Sequence, residues 1–111
     1  MDYVYYHFKT ADIPQTWNTA EIEAFLQKFP IFAEYKNDGA FQSKKPFLCV
    51  HLMNVRSYDS WNSGDYDPAH TNYISVLTSD DWYWGIKQDP QIRSVLDGLE
   101  RLLHSEMQED W

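Results

Sequence analysis

Residues 47–55 read FLCVHLMNV, the most apolar stretch of the chain. Apolar side chains fall on both alternating faces, so the pattern predicts a central strand buried on two sides. Such a strand needs partners to pair with and a layer to cover it, and the flanking sequence supplies both. Upstream, residues 3–8 (YVYYHF) set Tyr3, Tyr5 and His7 against Val4, Tyr6 and Phe8, the composition and alternation of a first strand. Asn37-Asp38-Gly39 is a turn signal ahead of a brief strand at 40–43, and Lys44-Lys45-Pro46 leads into the apolar run. Downstream, residues 72–78 and 82–87 flank Ser79-Asp80-Asp81 and predict a hairpin.

Two amphipathic segments supply the cover. Asn18 has the character of an N-cap, with Glu21 three residues on in the capping-box position. Ile22, Phe25, Leu26 and Phe29 then draw one stripe, which predicts a helix over about 19–29 that Pro30 ends. Near the C-terminus Asp89 is a cap and Pro90 takes the first helical position. Ile92, Val95, Leu96, Leu99, Leu102 and Leu103 keep helical spacing, so a second helix is expected to about Met107, with residues 108–111 frayed. Gly98 is expected on its outer face at a cost of about 1 kcal/mol relative to Ala, and Asp97 and Arg101 form an i,i+4 pair there. The expected architecture is α+β: a mainly antiparallel sheet of four to five strands with two helices packed on one face, a single domain over 1–111.

Composition narrows the function classes. The chain has 111 residues and a net charge of −8. Residues 1–55 carry six acids against five lysines, while 56–111 carry eleven acids against four bases. An acidic surface repels phosphate backbones, which argues against nucleic acid and anionic membranes as partners and in favour of basic proteins. The lone Cys49 cannot form an internal disulfide, residues 1–9 (MDYVYYHFK) lack the pattern of a signal peptide, and no apolar run reaches bilayer length, so a cytoplasmic protein is expected.

Signals for chemistry are thin. Cys49 and His51 share a strand face, but adjacent strand positions are poor geometry for a nucleophile and its base. His7, His51, His70 and His104 show no close-spaced zinc pair. Asp59, Asn62, Asp65 and Asp67 could offer oxygen ligands, yet the calcium-loop pattern fails around Gly64 and no glutamate closes it. No metal, no cofactor and no enzymatic activity are expected.

The informative stretch is 56–86, which holds seven of the nineteen Trp, Tyr and Phe residues and five Asp beside a single Arg. Large rings framed by carboxylates in a turn-rich segment have the make-up of a contact site for a cationic partner. The expected contact residues are Tyr58, Asp59, Trp61, Asp65, Tyr66, Asp67, Asp80 and Asp81. They point to a small acidic inhibitor of the immunity or antitoxin type, which blocks the cleft of a basic toxin, a nuclease for example, by mimicking phosphates and bases. The alternative is a small-ligand or carbohydrate-binding module that uses the same rings as a stacking platform, with or without hydrolytic activity; Asp59, Asp65 and Asp67 would then be the acid and base.

Overall fold

A computed structural model describes residues 3–59, 64–79 and 89–109. In chain order these give β1 (Tyr3–Lys9), β2 (Trp17–Asn18), α1 (Thr19–Leu26), a 3₁₀ turn (Pro30–Phe32), β3 (Lys36–Asn37), β4 (Ala40–Lys44), β5 (Phe47–Met53), β6 (His70–Thr71), β7 (Tyr73–Ser79), α2 (Pro90–Leu103) and β8 (Gln108–Glu109). Among the described residues an antiparallel six-stranded sheet runs β3-β4-β5-β7-β1-β8, and β2 and β6 form a separate two-stranded ladder. The α+β class read from the sequence is therefore the one observed. The sheet gains a strand over the expected four to five because two-residue pieces at both edges take part.

One hydrophobic cluster explains the layering. Tyr6 and Phe8 of β1, Phe41 of β4, Leu48, Val50 and Leu52 of β5, and Ile74 and Val76 of β7 all point to the same side of the sheet. There they meet Ile22 and Leu26 of α1, Phe32 of the 3₁₀ turn and Ile92, Val95, Leu96, Leu99 and Leu103 of α2. Both helices thus cover one face. The other face of β5 is not buried as the apolar run suggested: Phe47 and Cys49 are half-buried and His51 is exposed. Period-two alternation, not the continuous apolar composition, decides which residues reach the core.

The helix ends follow their capping chemistry. The Asn18 side chain accepts from the Glu21 amide at 3.1 Å, and α1 ends at Leu26, short of the expected 29. Pro30 opens the 3₁₀ turn, which delivers Phe32 edge-on to Phe41 with ring centroids 5.8 Å apart. Asp89 caps α2 by accepting from the Gln91 amide at 2.9 Å. The helix stops at His104, which takes a left-handed conformation with φ 52°. Glu100 Oε2 then accepts from the Met107 amide at 3.2 Å. That contact turns the chain back, so Gln108 and Glu109 pair with His7 and Tyr6 as β8 where fraying was expected.

Two expectations on α2 are corrected by its neighbours. Gly98 is buried and faces α1: a Cβ placed on it would lie 2.3 Å from Cζ of Phe25. Its missing side chain lets the two helices approach, a cause unrelated to flexibility. Asp97 pairs with Arg93, at 3.7 Å between exposed side chains, and not with Arg101. The expected hairpin partner at 82–87 lies outside the described residues; within them β7 pairs with β1 and β5.

Candidate functional site

The segment that follows β5 returns to the sheet at β7, and polar side chains hold it in place. Asn72, 1% exposed, carries the closure. Its Oδ1 accepts from the Val55 amide at 2.7 Å and its Nδ2 donates to the Val55 carbonyl at 2.9 Å, which reproduces a strand pairing with a side chain. The Asn72 carbonyl also accepts from the Thr10 amide at 3.1 Å. Further out, Asn54 and Asp65 exchange both backbone hydrogen bonds, at 2.8 and 3.2 Å. Thr19, fully buried at the start of α1, donates to the Asp67 carbonyl at 2.9 Å and lies 2.7 Å from the Thr71 hydroxyl. The segment is thereby fastened to α1 as well as to the sheet.

On this frame the predicted contact residues separate into two groups. Tyr58 turns to the side of the sheet facing away from the helices. Its hydroxyl hydrogen-bonds Thr10, and its ring packs on the small cluster of Met53, Val55 and Tyr73, with Lys9 Nζ 5.0 Å above its centroid. Asp59 beside it is exposed. Tyr66 instead turns to the helix side. Its ring lies over Gly39, where a Cβ would come within 2.5 Å of Cδ2 and where φ is +74°. Glycine at that turn serves both the backbone conformation and the ring. The Tyr66 hydroxyl donates to Oε1 of Glu23 on α1. Trp61, Asp80 and Asp81 lie outside the described residues.

The electrostatics gather around Tyr66. The hydrogen bond to Glu23 is the largest of the effects that push its phenol up to about 12, followed by desolvation and by the negative charges of Glu23, Asp38 and Asp67. Three carboxylates, from α1, from the β3–β4 turn and from the returning segment, thus converge on one ring. Asp65, exposed, precedes it in sequence. Asp67 Oδ1 is engaged locally, accepting from the amides of Ala69 at 2.8 Å and His70 at 3.4 Å. Among the described residues the ion pair formed is Arg93–Asp97, so Glu23, Asp38, Asp59, Asp65 and Asp67 have no lysine or arginine as a salt-bridge partner there. Sequence reasoning missed Glu23 and Asp38. Neither stands near Tyr66 in the chain, and only the docking of α1 and the β3–β4 turn brings them together.

The other chemical candidates are less favourably placed. Burial pushes the Cys49 thiol up and partial desolvation lowers His51, opposite to the shifts an ion pair of thiolate and imidazolium needs. Among the described residues no group of His, Cys, Asp and Glu is arranged to hold a metal ion, and no helix is long and apolar enough to cross a membrane. Comparison of the chain with protein-family models, with curated proteins and with solved structures found no match.

Proposed function

We propose that this protein is a stoichiometric inhibitor of the immunity or antitoxin type, which docks its acidic surface into the cleft of a basic toxin domain, a nuclease for example, in the cytoplasm. One observation carries the reading: Glu23, Asp38 and Asp67 converge on Tyr66, next to Asp65, and none of these acids pairs with a base among the described residues. Carboxylates on a fixed frame lose little entropy when a cation arrives, and their summed field speeds encounter with a positive cleft. The frame is fixed by Asn72, Thr19 and the Asn54–Asp65 bridge. The rings of Tyr58 and Tyr66 act as supports for the charges more than as exposed anchors, since both hydroxyls are engaged within the chain.

The test is association with basic nuclease domains encoded beside this gene, followed by calorimetry across a salt series. The expected result is a one-to-one complex that weakens steeply with ionic strength and abolishes nuclease activity. Absence of any salt-sensitive complex across that panel contradicts the proposal.

A further inference from the structure

Next to the acidic surface lies a cleft of opposite character. It is an open cleft of about 420 Å³ between the β1–β2 connection, the end of β5 and the β6–β7 junction. Ile13, Pro14 and Val55 form an apolar wall, and Thr16, Arg56 and His70 bring polar groups to it. Its three strands of chain are cross-tied. Asn72 binds Val55 and Thr10 as described, Asn54 Nδ2 donates to the His70 carbonyl at 3.1 Å, and Thr16 Oγ1 lies 3.3 Å from His70 Nδ1. The cavity is therefore formed before any ligand arrives, with a volume suited to a small molecule.

Arg56 distinguishes it. This is the single Lys or Arg in residues 56–86, a stretch with five aspartates. Yet it is exposed, makes no hydrogen bond or ion pair among the described residues, and is one of the residues that line the cleft. An arginine with no acidic partner among the described residues, on a cleft that also has an apolar wall, a threonine and a histidine, matches a planar oxyanion carried on a short hydrocarbon body. The charge of the whole molecule, −8, disfavours a dianion such as phosphate. We infer that this cleft binds a monocarboxylate with a short aliphatic body, held by Arg56 with Thr16 and His70 and packed on Ile13, Pro14 and Val55. The carboxylate comes either from a free small acid or from the C-terminus of a peptide. This site is independent of the acidic surface and of its partner.

The experiment is a nuclear magnetic resonance titration of the full chain with butyrate, butyramide, phosphate, and acetyl-Gly-Val with a free or an amidated carboxyl. Butyrate is expected to give saturable shifts confined to the Val55 and His70 amides and the Arg56 side chain, which butyramide does not reproduce. Arg56→Gln, at an exposed and unbonded position, should keep the native spectrum and weaken butyrate about tenfold or more through loss of the charge-assisted fork. Arg93→Gln, which removes the same charge elsewhere, should leave the affinity unchanged. Tighter binding of the free-carboxyl dipeptide than of butyrate identifies a chain terminus as the ligand, and weaker binding identifies a free acid. Equal shifts with butyramide, equal binding of phosphate, equal weakening by the two Arg variants, or no saturation would each overturn the inference.

Discussion

The helix-covered core and the segment from Asn54 to Asn72 are held together by different physics. In the core, Phe8, Leu26, Leu48, Leu52, Ile74 and Leu99 are fully buried and contribute through area removed from water. That force is non-directional and depends on which face a residue occupies. Among its described residues the 54–72 segment has little such apolar burial outside Val55 and Tyr58. It is fastened by Asn72, Thr19, Tyr66 and the Asn54–Asp65 bridge, contacts that depend on single atoms in the right place. The core therefore tolerates surface change while the segment carries the candidate sites on a polar frame, one substitution from loosening.

Substitutions in each region should separate the two kinds of attachment. The largest loss is expected for Leu99→Ala, about 2–5 kcal/mol in denaturant unfolding, because the cavity opens between α2 and the sheet. Asn72→Ala should cost about 1–3 kcal/mol by orphaning the Val55 amide and carbonyl. Unlike Leu99→Ala, it should raise hydrogen exchange selectively at Val55, whose amide loses its acceptor; a uniform rise would erase the distinction between the two regions. Gly98 tests the core from the opposite direction. Gly98→Leu should destabilise by about 1–3 kcal/mol through overpacking on Phe25. Gly98→Ala should return none of the roughly 1 kcal/mol that helix propensity promises.

Smaller effects belong to Tyr66. Its phenol is held up at about 12 in the folded chain against an ordinary 10.0. The folded state thus keeps this proton more tightly than the unfolded state, and the stability so gained is intact below the ordinary value and lost as pH climbs through the raised one. Tyr66→Phe should cost about 1 kcal/mol or less at neutral pH and should flatten this part of the alkaline decline, read as the difference between the two proteins' stability curves. An equal alkaline decline in both would remove the Tyr66–Glu23 contact from the account.

Much of this division follows from what sequence periodicity can register. The stripe from Ile92 to Leu103 and the alternation in Tyr3–Phe8 report which face meets a core, so the two helices, the strands β1, β4, β5 and β7 and their layering were readable, whereas the two-residue strands were not. Gly98 was misplaced because the helical wheel locates a face but not the neighbouring Phe25. The β8 pairing was missed because it rests on the Glu100–Met107 contact, which has no hydrophobic signature. At the site, acidity and aromatics marked Asp59, Asp65, Tyr66 and Asp67, whereas Glu23 and Asp38 arrive from elsewhere in the chain. Asn72 read only as the first residue of the expected 72–78 strand, and its buried pairing with Val55 exists only in three dimensions.

Capture of a basic protein by the carboxylates around Tyr66, which have no basic partner among the described residues, can be read from the affinity of the double variant Asp65→Asn/Glu23→Gln for an inhibited nuclease domain, compared with the parent chain at low and at high salt. Markedly weaker binding at low salt, a shallower salt dependence and an unchanged fold by circular dichroism are expected. Parent-like affinity and salt dependence in a folded double variant would contradict capture by these acids.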